Sequence, residues 1–183
     1  MTLASYISCL RIALIVPIIC FLYLGFGGPD FYTYLAFSLF VIAGLTDYLD
    51  GYIARRTNSE TRLGALLDLI ADKLLVSLVM VWLVFVDFNL FVAIPALIII
   101  SRELVISTLR QYIIEKEVKR ELSVSFIGKS KTTIQIIAIS MLILAQEIMG
   151  IYTLSLIAIW FAAVFSLYSL FTYVSEWFEH YLN

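Results

Sequence analysis

Four aspartates stand in otherwise apolar sequence, in the order Asp47-x2-Asp50-Gly51-x2-Ala54-Arg55-x8-Gly64-x3-Asp68-x3-Asp72. An ionised side chain at the centre of a membrane helix costs roughly 2.5–3.5 kcal/mol, so four unpaired ones would cost on the order of 10–14 kcal/mol. That approaches the whole stability of an ordinary domain. A divalent metal removes the cost most directly. Hard cations such as magnesium take carboxylate oxygens and keep positions open for substrate phosphates. The spacing suits this, because Asp47 and Asp50 share a helix face at i,i+3, and Asp68 and Asp72 share one at i,i+4. Two such pairs facing each other form a carboxylate cup for one or two ions. The competing arrangement, a salt-bridge network with Arg55, Arg62 and Lys73, does not require so regular a spacing.

The elements that hold these residues are apolar. Of the 183 residues, 62% are hydrophobic and only 14% charged, with a mean hydropathy of +1.00, which excludes an ordinary soluble domain. Length allows one domain, spanning residues 1–183. Apolar runs recur at 12–28, 31–46, 63–86, 88–114, 132–145 and 149–174, several of them longer than the ~20 residues that cross a bilayer. The fold class expected is therefore all-α, a polytopic membrane protein with six transmembrane helices. Charge is distributed unevenly. The twelve Lys and Arg fall at Arg11, at Arg55, Arg56 and Arg62, at Lys73, or within 102–131, whereas Asp30, Asp87 and Glu147 mark the alternate connections. By the positive-inside rule both termini and the aspartates face the cytoplasm of an inner (plasma) membrane.

No cleaved leader is expected, because the first apolar run lacks a basic start and a small-residue cleavage site. Cys9 and Cys20 would lie about 16 Å apart on one helix, too far for a bridge, and read as packing residues. The short basic stretch 54–62 joins two helices that must run antiparallel, which brings the two carboxylate pairs together. Gly51 and Gly64 flank the pairs, where small residues let helices approach or leave space for a ligand.

The string from Asp47 to Asp72 matches at every position the signature of the CDP-alcohol phosphotransferases, with eight fixed residues across 26 positions. The chain thus resembles a family of six-helix membrane enzymes. The resemblance implies that a hydroxyl attacks the β-phosphorus of a CDP-linked lipid or alcohol and that CMP leaves. It makes Asp47, Asp50 and Asp68 ligands of magnesium or manganese, with Asp72 the remaining ligand or the general base. It also puts Gly51, Ala54, Arg55 and Gly64 at the donor, and implies a homodimer in the lipid bilayer with no nucleic-acid partner. Metal ions suit such a reaction by neutralising the pyrophosphate and stabilising the leaving group.

Two further stretches bear on the acceptor. Ser101-Arg102-Glu103 and Arg110 lie in the fourth apolar run, and Gly128-Lys129-x-Lys131-Thr132-x2-Gln135 opens the fifth. Together they resemble the phosphatidylglycerophosphate synthase branch, which implies CDP-diacylglycerol as donor and sn-glycerol 3-phosphate as acceptor. Arg102 and Arg110 can grip a phosphate bidentately, while Lys129 and Lys131 supply point charges. The plainer alternatives are that the lysines anchor the cytoplasmic interface and that Arg110 snorkels to it. Glu103 and Arg110 are i,i+7 and can pair.

Relatives in this branch often begin Asn-Ile-Pro-x3-Thr-x2-Arg. With Arg11 aligned, Thr2, Ala4 and Ser8 take the Asn, Pro and Thr positions, and only Ser8 keeps its chemistry. Trp160, Tyr168, Tyr173 and Trp177 read as packing and interface anchors, and His180 as solvated. Other acceptors compatible with the donor chemistry are phosphatidylglycerol, serine or an inositol derivative. A small membrane transporter is the reading from another class, but it fits poorly with aspartates bunched at one side and no inverted repeat.

Overall fold

The computed structural model describes the backbone of residues 3–57, 62–115 and 126–182, with side chains except at 3–5, 47–57, 62–63, 65, 110, 113–115, 126–130, 176 and 178–182. All regular structure among the described residues is helical. Six helices follow one another: α1 Leu3–Gly25, α2 Asp30–Thr57, α3 Arg62–Asp87, α4 Leu90–Glu115, α5 Phe126–Leu144 and α6 Met149–Leu182. Four contain stretches long and apolar enough to cross a membrane, at Tyr6–Gly25, Leu66–Asp87, Leu90–Leu109 and Met149–Ser175. The apolar parts of α2 and α5, Asp30–Thr46 and Lys131–Leu144, are shorter. Thr46 and Lys131 bound these two stretches because the side chains of 47–57 and 126–130 lie outside the described residues.

Helicity outlasts hydropathy in α2. The helix continues through the aspartates to Thr57, so it takes in the first part of the connection expected at 54–62, and α3 begins at Arg62. Asp, Arg and Tyr cost only a few tenths of a kcal/mol as helix residues, and nothing in 47–57 breaks the helix except the mild penalty of Gly51.

Packing centres on α1, which lies against both α2 and α3, while α2 and α3 meet each other only marginally. α6 packs on α4 and α5, and α5 closes onto α2. The buried stripes have helical period: Ile15, Ile18 and Leu22 from α1 meet Ala36, Phe40 and Ala43 from α2 and Val79, Met80 and Leu83 from α3. Small residues allow the close approaches, as membrane helices require. Outside the core runs a belt of exposed apolar side chains, including Val16, Ile42, Leu97, Phe161, Val164 and Phe171. So extensive an apolar surface is stable in hydrocarbon and not in water. Cys9 and Cys20 are free, with Cys20 on the outside.

The end opposite the aspartates is closed by tight turns. Gly27 takes φ +71, a left-handed conformation open to glycine, and the Gly28 amide bonds Gly25 O at 3.0 Å. Between α3 and α4 only Phe88 and Asn89 intervene, and Asn89 Oδ1 accepts from the Phe91 amide at 3.0 Å as an N-cap. Two of the three acids at this end, Glu147 and Asp87, accept hydrogen bonds. Thr33 Oγ1 donates to Glu147 at 2.7 Å, and Tyr152 OH donates to Asp87 at 2.8 Å while accepting from Asn89 Nδ2 at 2.9 Å. These bonds tie α2 to the α5–α6 turn and α6 to the α3–α4 turn. A cavity of about 440 Å³ sits here, lined by Gly25, Gly28, Leu83, Asp87, Glu147 and Tyr152 among others.

Glycine tolerance should separate the α2–α5 contact from open surface. A Cβ at Gly44 would lie 2.9 Å from Ile136 Cδ1, whereas one at Gly150 meets nothing within 4 Å. Gly44→Leu is expected to lower stability by about 1–3 kcal/mol through overpacking. Gly150→Ala should be neutral or stabilising by up to ~1 kcal/mol. Thermal unfolding of the detergent-solubilised variants measures both, and equal effects at the two sites would contradict the packing.

Candidate active site

At the other end, α3 presents Asp68 and Asp72 one turn apart. Asp68 Oδ1 accepts from Arg11 Nη1 at 3.1 Å and from Ser8 Oγ at 3.5 Å. Ser8 and Arg11 are i,i+3 on α1, so one face of that helix grips one aspartate. The pair is asymmetric: Arg11 is 1% exposed and the Asp68 side chain 44%. The guanidinium is deep, and the carboxylate leads out from it toward the open end of the bundle. Asp72, half-buried, accepts no hydrogen bond from any described residue. Lys131, Arg11 and Lys73 attract it electrostatically, and Asp68 repels it.

A second cluster joins α4, α5 and α6. Lys131 Nζ donates to Glu103 Oε1, and Arg102 Nη1 lies 3.5 Å from the same oxygen. Arg102 Nη2 donates to Ser169 Oγ on α6 at 2.7 Å. Arg102 and Lys131 are only 7% and 4% exposed. Burial of two cations on one carboxylate is tolerable only with hydrogen bonds of this kind, because an unpaired buried charge costs several kcal/mol. Gln135, one turn along α5 from Lys131, is also buried.

Arg11, Arg102 and Lys131 are the buried cations among the described residues, and all three lie at this end. Asp72 lies within electrostatic reach of Asp68 and Lys131, and Lys131 shares Glu103 with Arg102. Lys131 is a buried, paired residue rather than an interfacial anchor. Glu103 reaches Lys131 and Arg102. Its expected partner Arg110 has its side chain outside the described residues, as do Asp47, Asp50, Gly51, Ala54, Arg55, Lys129 and His180. The backbone of α2 does carry Asp47 and Asp50 in continuous helix, so their i,i+3 spacing holds. Gly64 is buried near the start of α3.

Three contributors are not evident from the aspartate string. Arg11 reads as one more interfacial cation until its burial is seen, although a lone arginine within an apolar run is itself a signal. Ser8 follows from Arg11 by helical spacing. Ser169 gives no signal, being one of several hydroxyls in an uncharged stretch.

Asp68 and Asp72 offer two carboxylates of the kind a hard divalent cation takes, and Asp72 lacks a hydrogen-bond donor among the described residues. No group of three or more His, Cys, Asp or Glu side chains that could hold an ion comes together among the described residues. Lys131 of α5 lies within electrostatic reach of Asp72. Carboxylates close to buried Arg and Lys are the residue types that phosphoryl chemistry uses.

The profile of the CDP-alcohol phosphatidyltransferase family matches residues 1–168. The chain belongs to this family. A protein of Salmonella choleraesuis (strain SC-B67), named CDP-diacylglycerol--glycerol-3-phosphate 3-phosphatidyltransferase, is 38% identical over 172 residues, covering 93% of this chain and 92% of the relative. Proteins of the same name are similar in Haemophilus influenzae, at 36% over 173 residues with 92% and 89% covered, and in Escherichia coli (strain K12), at 41% over 143 residues with 78% of each covered.

For this phosphatidyltransferase-family chain, the Arg11–Asp68 asymmetry has a measurable consequence. Asp68→Ala removes a charged partner of a buried guanidinium and should cost about 1.5–3 kcal/mol, the range for hydrogen bonds to charged groups. Arg11→Leu leaves a carboxylate that water can reach and should cost less. Chemical denaturation of the two variants in detergent tests the order, and the reverse order would refute the burial argument.

Proposed function

We propose that this chain is a membrane phosphotransferase that joins CDP-diacylglycerol and sn-glycerol 3-phosphate, giving phosphatidylglycerophosphate and CMP. The observation that carries the reading is the agreement between its relatives, 36–41% identical over 78–93% of the chain under that enzyme name, and a site that pairs carboxylates with buried cations. Residues 1–183 act as one such domain. All six helices span the bilayer of the cell's inner membrane, the two shorter apolar stretches being completed by their polar ends. The carboxylates face the cytoplasm, where the basic connections lie. The working unit is a homodimer, a proposal that rests on resemblance to the family.

Within this reading Asp47, Asp50 and Asp68 hold Mg2+ or Mn2+, with Asp72 beside them. The metal supplies charge neutralisation for the donor pyrophosphate. Ser8 and Arg11 fix the Asp68 carboxylate, and a fixed ligand spares reorganisation when substrate arrives. Gly51, Ala54 and Gly64 line the donor side, their small size leaving room for the nucleotide, and Arg55 adds a positive charge there. Arg102, Arg110, Lys129 and Lys131 receive the phosphate of the acceptor. That phosphate directs the acceptor hydroxyl at the donor phosphorus. The new bond forms from the hydroxyl oxygen to that phosphorus, the bond to the CMP oxygen breaks, and Asp72 takes the hydroxyl proton. Serine and inositol, which lack a phosphate, have less use for these cations.

Purified protein given CDP-diacylglycerol should release CMP with glycerol 3-phosphate, and much more slowly with phosphatidylglycerol, serine or inositol. Preference for another of these acceptors would overturn the assignment. EDTA should silence the reaction and magnesium or manganese restore it, while full turnover in excess chelator would exclude the metal role. Asp72→Asn should collapse turnover. Retained CDP-diacylglycerol binding would mark Asp72 as the base, and lost metal binding would mark it as a ligand. Arg102→Ala should raise the KM for glycerol 3-phosphate by roughly tenfold to 150-fold, the loss of one charge-assisted hydrogen bond at ~1.5–3 kcal/mol. The KM for CDP-diacylglycerol should move little. A rise confined to the liponucleotide would reassign Arg102 to the donor.

A further inference from the structure

We infer that Glu103 is a positioning residue that holds Arg102 and Lys131 as a preformed phosphate cradle and keeps Lys131 away from Asp72. The inference rests on the acceptor site proposed above and adds a residue outside it. Glu103 is a half-buried carboxylate on α4 whose described partners are both cations, one on its own helix and one on α5. Lys131 has a second anion within electrostatic reach, Asp72 on α3. A lysine is a flexible stem with a point charge, free to choose between the two.

The choice has consequences. Paired with Asp72, the ammonium would occupy a carboxylate needed for metal or for the acceptor proton, and its own charge would be spent. Paired with Glu103, it leaves Asp72 accessible and keeps two of its three N–H donors for a ligand. Arg102 is fixed from both sides, with Glu103 beside Nη1 and Ser169 Oγ on Nη2, and a guanidinium has five N–H donors in all. Glu103 thus gives up part of the positive field to fix where the rest of it sits. Binding a small dianion to side chains already ordered avoids the entropy of ordering them at that moment.

The opposing physical effect has the opposite sign, which makes the inference testable. If Glu103 acted only through its charge, Glu103→Gln would strengthen the attraction for phosphate. If it acts by position, the same variant weakens it. With glycerol 3-phosphate as acceptor, Glu103→Gln is expected to raise KM about tenfold, equivalent to roughly one charge-assisted hydrogen bond. The inhibition constant of inorganic phosphate should rise by the same factor, and the KM for CDP-diacylglycerol should stay within about twofold, the error of independent sites. On a Lys131→Met background the increment from Glu103→Gln should shrink, because residues acting through one another are not additive.

Glu103→Gln leaves two buried cations on a neutral amide. Ser169→Ala, which releases only the Nη2 side of Arg102, therefore provides a milder second variant, with a smaller rise in both constants. A lowered KM, an unchanged phosphate inhibition constant in both variants, or full multiplicativity with Lys131→Met would overturn the inference. Failure of the wild type to use glycerol 3-phosphate would instead refute the function proposed above. The two failures are distinguishable in one set of assays.

Discussion

Every charge inside this bundle must find a partner before the helices can pack, and that constraint decides which helices meet. In hydrocarbon a lone ionised side chain costs several kcal/mol, with no water to offset it. Arg11 satisfies itself on Asp68, which fixes the height of α1 against α3. Lys131 satisfies itself on Glu103, which links α5 to α4 through side chains alone, and Arg102 reaches Ser169, which brings in α6. The apolar stripes of Ile, Leu, Val and Ala then fill the remaining space, but they are similar enough to tolerate other registers. The polar contacts select one. The same side chains that would serve the chemistry also set the arrangement of the helices.

The two ends of the bundle meet this constraint differently. At the end with tight turns the bonds run from neutral donors to acids, Thr33 to Glu147 and Tyr152 to Asp87. They close a scaffold and hold no cation among the described residues. At the other end, carboxylates and buried cations alternate in space across α1, α3, α4 and α5. An anion entering there exchanges water for ready-made donors, whereas at the closed end it would meet Asp87 and Glu147. The asymmetry of charge along the bundle axis thus separates scaffold from site, and it parallels the asymmetry of Lys and Arg along the chain.

Much of this was legible in the residues, and for identifiable reasons. Aspartates at i,i+3 and i,i+4 in apolar sequence are rare enough to announce a site, and hydropathy locates all six helices. Their extents were less legible. Hydropathy ends near Thr46, but α2 runs to Thr57, because a polar residue ends an apolar run without ending a helix. Lys131 was ambiguous between anchor and ligand, since its partner Glu103 stands 28 positions away and no local period reports such a contact. Arg11 was counted with the interfacial cations because position in sequence says nothing of depth. Ser169 could not be singled out, as α6 contains several serines and only the fold brings one of them to a guanidinium.

The division of labour among helices bears on how one family can serve several acceptors. The signature residues lie on α2 and α3, the elements that would carry metal and donor, and their spacing is what a shared reaction at phosphorus demands. Arg102, Glu103 and Lys131 lie on α4 and α5, separate elements that each contact α3. Changing that second cluster alters the charge offered to the acceptor without moving a single carboxylate of the first. Among the described residues Lys131 links the two, bonded to Glu103 and within electrostatic reach of Asp72. A site built this way can exchange a phosphate-bearing acceptor for a neutral one by a few substitutions on α4 and α5. The chemistry at phosphorus, held by α2 and α3, would remain as it is.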